Sequence, residues 1–274
     1  MSKLVWFLAV ALVVVFGAVE ANAGPVFLTG HDPDFHAQVS AGAANLLAVG
    51  LSFVTGGTYN GGVQKFLWVE GNIAPPSGHL VGEDGLVALG LTSGTHYDAV
   101  DAAGFAAVNF ANYSAIAVAS SFGGLLTQAE LDGLIARKTE IASFVNGGKG
   151  LLALSECFPD SGDCSADLLG PSPNVFGFLP IVVSAVPTAQ GYTVTPFGAS
   201  LGLTNDDVND PTHNSFGVTA GLNVVDTDAA GVPTTLAGNV TIGGGGFTPV
   251  PEPASMALLG LGLAGLAFGT RKRA

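Results

Sequence analysis

The chain has 274 residues, 48% of them hydrophobic and 11% charged, with 40 glycines, 15 prolines, 2 cysteines and a formal net charge of -13. Four of the eight Lys and Arg residues lie in the apolar ends, so residues 24–250 keep 4 bases against 19 acids, a net charge of -15. Phosphate backbones and anionic lipid repel such a body, which excludes nucleic-acid binding by counterion release; the length suits one domain with a sizeable core.

The chain opens on Met1-Ser2-Lys3, an apolar run from Leu4 to Val19, and Glu20-Ala21-Asn22-Ala23. A basic start, an apolar centre and small residues at Ala21 and Ala23 make a secretory signal peptide, which signal peptidase would cut before Gly24. A retained N-terminal anchor is the competing reading, and it leaves the Ala-x-Ala site without a purpose.

From Gly24 on, short continuous apolar runs alternate with helical stretches, the pattern of an α/β domain whose mostly parallel sheet is covered by helices on both faces. Residues 25–29 read as a strand and 35–55 as an Ala/Leu-rich helix. Residues 65–69 are the next strand, 79–91 a Gly-rich helical segment, 97–100 a third strand and 102–110 a short helix. Residues 113–155 are the best-defined unit. There, Ala115-Ile116-Ala117-Val118-Ala119 is a buried strand ending at Ser120-Ser121, and Thr127-Gln128-Ala129-Glu130 spells a capping box. Leu131, Leu134, Ile135, Ile141, Ala142 and Val145 fall on one helical stripe, with Arg137, Lys138 and Glu140 off it. Asn146-Gly147-Gly148 closes the helix, and Leu151-Leu152-Ala153-Leu154 completes a βαβ unit whose crossover should be right-handed. Beyond Gly170, Pro, Thr, Val and Gly dominate. Apolar runs at 181–186, 191–195, 222–225, 235–237 and 240–242 read as strands and loops added at the sheet's end or edge.

Gly243-Gly244-Gly245-Gly246 reads as a hinge. After it come Val250-Pro251-Glu252-Pro253-Ala254-Ser255, an apolar stretch from Met256 to Phe268, and Arg271-Lys272-Arg273. The stretch is short against the roughly 20 residues of a full bilayer span. Bases behind it stay cytoplasmic, which leaves the domain outside. The arrangement closely resembles the PEP-CTERM sorting signal over residues 250–273. The resemblance implies that exosortase acts near Val250, Pro251, Glu252 and Pro253. It also implies transient inner-membrane anchoring by the C-terminal transmembrane helix, then a cell-surface or extracellular destination associated with exopolysaccharide and biofilm. A plain C-terminal anchor is the alternative, and it has no need of the Pro-Glu-Pro motif. The chain thus divides into a signal peptide (1–23), an α/β domain (24–170), a β-rich extension of it (171–242), a Gly-rich linker (243–250) and the sorting signal (251–274).

In an open parallel sheet, ligands gather beyond the carboxyl ends of the strands. Those ends carry His31, Asp32, Asp34 and His36; Ser120 and Ser121; and Ser155, Glu156 and Cys157, while Asp206, Asp207, Asp210 and His213 sit in a later polar loop. His31, Asp32, Glu156 and His213 are the candidate acid, base and positioning groups. His31, Asp34 and His36 offer mixed N and O ligands for a divalent cation, and Asp206, Asp207 and Asp210 offer an oxygen-rich loop without the EF-hand spacing. Helix capping by Asp34 and plain solvation of the acidic loop compete with those metal readings. Cys157 and Cys164 enclose a short loop with Pro and Gly, and in an exported chain they are expected to form a disulfide.

Residues 113–155 and the opening Phe27-Leu28-Thr29-Gly30-His31 resemble the class I glutamine amidotransferase-like fold and its ThuA-like relatives. The resemblance implies a flavodoxin-like sheet. Amidotransferase-like enzymes set a nucleophile on an elbow with glycine two residues to either side. Ser155 is flanked instead by Ala153 and Cys157, and Cys157 by Ser155 and Pro159, which counts against that activity. Two functions follow. One is a non-catalytic surface or matrix protein. The other is a hydrolase of carbohydrate or small amide bonds, metal-assisted or not, built on the His/Asp/Glu set.

Overall fold

The computed structural model describes residues 23–71, 82–121, 125–154, 176–179, 183, 185–209, 213–243 and 246–249. Met1 to Asn22, Ser155, Glu156, Cys157, Cys164, Asp210 and Val250 to Ala274 lie outside these. So do the expected disulfide, most of the expected signal peptide and the sorting tail.

The first strand, β1 (Gly24–Thr29), is buried at nearly every position. The helix expected over 35–55 is two: α1 (Pro33–His36), begun by Pro33, and α2 (Ala41–Thr55). The break falls at Ser40, whose hydroxyl accepts from the Ala43 N–H at 3.2 Å and starts α2 afresh. Then come β2 (Phe66–Val69), α3 (Glu83–Ala88), β3 (Tyr97–Val100) and α4 (Ala102–Ala107), capped by Asp101, whose Oδ1 accepts from the Gly104 N–H at 2.8 Å. A 3-10 turn, Phe110–Asn112, leads into β4 (Ala115–Val118). The Thr127/Glu130 capping box forms and opens α5 (Gln128–Ala136), which gives way at Arg137 to α6 (Lys138–Asn146). That break turns Ile135 out to solvent, 38% exposed, although the stripe placed it inward.

Next come β5 (Gly150–Ala153), β6 (Ala185–Val186), β7 (Thr193–Val194), α7 (Pro196–Ser200), α8 (Asn205–Val208), β8 (Ser215–Phe216) and β9 (Asn223–Thr227). Two runs read separately at 235–237 and 240–242 are one long strand, β10 (Pro233–Gly243). Residues 246–249, part of the expected linker, pair as β11 (Gly246–Pro249) with the end of β10.

Among the described residues the main sheet runs β3-β2-β4-β5-β1-β10-β9-β7, with β11 on β10. The first five strands are mutually parallel, and β10 joins β1 antiparallel. This is a flavodoxin-like α/β sheet with a C-terminal β-rich extension. Counted from β2, its parallel strands stand in the flavodoxin order 2-1-3-4-5, with the chain's first strand in the fifth place. The strands alternate between two cores. Phe27, Phe66 and Trp68 meet Leu46, Leu47 and Leu51 of α2 and Leu86 of α3, while Val26, Leu28, Leu67 and Ile116 meet Phe105, Leu131, Leu134, Ile141 and Val145 of α4 to α6. Burial on both faces is why these strands read as unbroken apolar runs.

Arg137, at the α5–α6 break, lies 3.9 Å over the Phe110 ring and 5.2 Å over that of Phe105. Its guanidinium donates to the carbonyl oxygens of Phe105 (2.6 Å) and Val108 (3.1 Å). It therefore pins the end of α4 to the break. Arg137→Ala should lower unfolding stability by about 2 kcal/mol, read as a drop in urea midpoint, with Lys restoring little because it lacks the planar fork.

Candidate functional site

β1 delivers its carboxyl end into a tight seam. Gly30 donates to the Thr234 carbonyl at 2.7 Å, and its own carbonyl accepts from the His213 N–H at 2.9 Å. A Cβ on Gly30 would overlap the Asn214 carbonyl oxygen, so a larger residue would push the 213–216 segment off the strand end. The Thr29 hydroxyl lies 2.9 Å from that of Thr235 and accepts from the His31 N–H at 3.1 Å, which turns the His31 ring toward β9.

Two acid–imidazole groups result. His31 Nε2 is 3.0 Å from Asp226 Oδ2, both side chains fully buried, with Tyr192 edge-on to the ring at 5.0 Å. Asp32 lies between two imidazoles, 3.0 Å from His213 Nε2 through Oδ2 and 3.5 Å from His36 Nε2 through Oδ1. The structure thus brings together His31, Asp32 and His36 from the turn after β1 and His213 from the later polar loop. The space enclosed by His31, Asp32, Pro33, His36, Leu46 and Asp207 has no room for a water molecule.

Asp34 is turned elsewhere. It does not act as the helix cap, a position held by Asp32. Asp34 Oδ2 accepts from the Ser120 N–H at 2.9 Å and Oδ1 from the Phe35 N–H at 3.1 Å, tying the turn after β1 to the end of β4. Burial pushes its carboxyl up to about 6, helped by Asp32 and opposed by the Ser120 and Phe35 bonds. The acidic loop forms α8: Asp207 Oδ2 accepts from the Thr204 N–H (2.7 Å) and hydroxyl (2.9 Å) in a capping box, and Asp206 is exposed. Among the described residues no three His, Cys, Asp or Glu side chains are grouped to hold a metal ion.

Two buried acids escaped the sequence. Asp226 interrupts the apolar run Val224-Val225, and Glu70 ends the run Phe66 to Val69; a charge inside a buried strand pattern is the signal for both. Glu70 Oε2 accepts from Trp68 Nε1 (2.8 Å) and the Glu83 N–H (3.1 Å). Burial pushes Glu70 up to about 8; Glu83 and Asp34 add to the rise, and the two donors oppose it. It lines a cleft of about 350 Å³ with Gly71, Glu83, Val100, Asp101 and Gly104.

With the geometry in view, one family match bears on function: a PEP-CTERM protein-sorting motif covers residues 249–273. It marks the chain as an exported protein sorted by exosortase, with its C-terminus as a transient membrane anchor. No curated protein and no solved structure matches the chain. Among the described residues no helix is long and apolar enough to cross a membrane.

His31→Ala should cost about 3–5 kcal/mol in chemical unfolding, because it leaves the buried Asp226 carboxylate unpaired. The raised carboxyls predict a pH profile. The folded state keeps protons on Asp34 and Glu70 that the unfolded chain has already lost, so stability falls as pH rises from about 4 to about 8, then levels. Urea midpoints across that range should show the fall, and Glu70→Gln should flatten its upper half.

Proposed function

We propose that the chain is a non-catalytic protein of the cell surface or extracellular matrix, associated with exopolysaccharide or biofilm after exosortase has released it. The observation that carries the non-catalytic part is the closed His31/Asp32/His36/His213/Asp226 cluster. In it His31 pairs with Asp226, and Asp32 lies between His36 and His213, which joins β1 to the extension; the space bounded by His31, Asp32 and His36 admits no water, let alone a substrate. The missing elbow glycines around Ser155 and Cys157 agree with this reading. So does the charge of residues 24–250, which keeps the domain solvated and draws cations in a matrix.

In the same proposal, signal peptidase cuts before Gly24, Cys157 and Cys164 are bridged, and the mature chain ends near the Pro251-Glu252-Pro253 motif. A kinship with the amidotransferase-like and ThuA-like fold belongs to this reading as a statement about the sheet, and it brings no activity with it. The alternative, a carbohydrate or amide hydrolase with or without a divalent cation, is favoured by one observation: two acid–imidazole pairs stand at the carboxyl end of β1.

Intact-mass measurement on material from the matrix fraction should find a chain that begins at Gly24 and lacks Arg271 to Ala274. Retention of the tail there would refute exosortase release. For catalysis, Asp32→Asn and His213→Ala should change stability while leaving any hydrolytic turnover on glycan and amide panels at background. A turnover that the wild type shows and both variants lose would establish the hydrolase.

A further inference from the structure

The five parallel strands start at one end of the sheet, at Gly24, Phe66, Tyr97, Ala115 and Gly150, and β10 runs antiparallel to finish there at Gly243. The segments leading into or out of this end are 56–65, 89–96, 108–114, 147–149 and 241–249. None contains an Asp or Glu, although residues 24–250 hold 19 acids. The four Lys and Arg residues of 24–250 gather here instead. Lys65 and Lys149 immediately precede β2 and β5. Arg137 covers the Phe110 ring and holds the Val108 carbonyl, with the exposed Lys138 next to it. Gln64 ties three of the segments together, donating to the Ala111 carbonyl at 3.2 Å and accepting from Lys149 Nζ at 2.6 Å. Asp98 and Glu140 pair with Lys65 and Arg137, each at 2.6 Å, which leaves Lys138 and Lys149 as the net charge of this end.

Both ends of the domain emerge at this same place. Val240 pairs with Gly24 along one side of β10 and with Pro249 along the other, so Gly24 and Pro249 stand two strand spacings, about 10 Å, apart. A Cβ on Gly24 would overlap the Lys149 carbonyl oxygen, so the strand starts directly against that base. The sorting motif takes over at residue 249, and only residues 250–255 separate β11 from the apolar stretch that begins at Met256. Such a link reaches at most about 20 Å. A domain held that close to a bilayer by its anchor turns toward it the end from which the anchor departs.

We propose that, while the tail is attached, the domain rests on anionic phospholipid through this acid-free, lysine-bearing end. Lys138 and Lys149 meet headgroup phosphates, and Val63, fully exposed in the 56–65 segment, enters between the headgroups. Arg137 and Lys149 line one open groove of about 680 Å³, with Phe110 and Phe144 in its wall. The turns at the opposite end carry Asp32, Asp34, Glu70, Asp101 and Glu130, which this orientation keeps away from the lipid. The contact depends on the tether. The domain as a whole has a large excess of acid and is repelled by the same surface, so two lysines hold it there only at the high effective concentration that a short link provides. Cutting the tail ends the contact, and the acidic body leaves the membrane.

The inference rests on the anchor that the sorting motif supplies and is independent of the matrix destination. The test is hydrogen exchange on the full-length chain in phosphatidylcholine vesicles, with and without about one third of phosphatidylglycerol. With phosphatidylglycerol, amides of 56–65 and 108–114 should exchange at least about threefold more slowly, those of 30–36 should not change, and about 0.5 M salt should remove the difference. Lys138→Gln combined with Lys149→Gln should erase the protection at an unchanged urea midpoint, each lysine being worth roughly fivefold at an anionic surface. Lys138→Glu is a second variant, at a side chain that makes no hydrogen bond among the described residues, and it should do most of the same. A Gly/Ser insertion of about 30 residues between Pro249 and Val250 should lower the ratio of docked to free domain about tenfold, by diluting the tethered domain. Equal exchange in the two vesicles, protection that survives salt or the lysine substitutions, or protection at 30–36 in place of 56–65 would overturn the docking. Failure of the chain to float with either vesicle would remove the anchor, and the proposal with it.

Discussion

The architecture turns on the seam at the carboxyl end of β1. This strand has a parallel neighbour on one side, β5, and an antiparallel one on the other, β10, so it joins the flavodoxin-like half to the extension. The contact is close enough that Gly30 admits no side chain against Asn214. Backbone pairing fixes the register from Gly24 with Val240 to Thr29 with Thr235. The His31–Asp226 pair then fastens the end of the strand to β9, one strand further out. A buried pair of this kind contributes little net stability against apolar isosteres, but breaking one partner is expensive. The seam therefore specifies one docking of the extension more than it strengthens it.

The same geometry explains why so many acids crowd one end of the domain. Parallel strands send every crossover helix off from the same edge, so helix N-termini and their free N–H groups collect there, each favouring a carboxylate. Asp34, Glu70, Asp101, Glu130 and Asp207 each accept from at least one backbone N–H of this kind. Much of what looks catalytic in the sequence is this structural demand.

Local signals in the sequence were legible where one residue type suffices to state the constraint. The continuous apolar runs predicted buried parallel strands, and Thr127 with Glu130 predicted the start of α5. Strand polarity puts His31, Asp32 and His36 at one end, whereas His213 reaches Asp32 from a later polar loop that polarity does not place. The breaks were not legible. The helical readings run on through Ala37 to Ser40 and through Arg137; in the second case the interruption depends on residues far away, Phe110 and the carbonyls of Phe105 and Val108. Asp226 was hidden for the same reason. Its partner His31 is 195 positions distant, and no spacing rule reaches that far.

Sequence separation also bears on how an exported chain of this kind reaches its fold. β1 begins at Gly24, immediately after the signal-peptide pattern, and its Cα packs so closely on the Val145 and Lys149 carbonyls that any side chain there would collide. The strand at the junction of the sheet's two halves is thus the first strand of the described residues. Its antiparallel partner β10 lies some 200 residues later, and β11 ends at Pro249, where the sorting motif begins. Loop closure over that distance must be met before the β1–β10 ladder repays it. The sheet therefore cannot be completed until almost the whole chain up to the sorting motif is available. Closing the fold late, next to the segment that holds the chain at the membrane, gives exosortase a folded domain on one side of its motif and an anchor on the other.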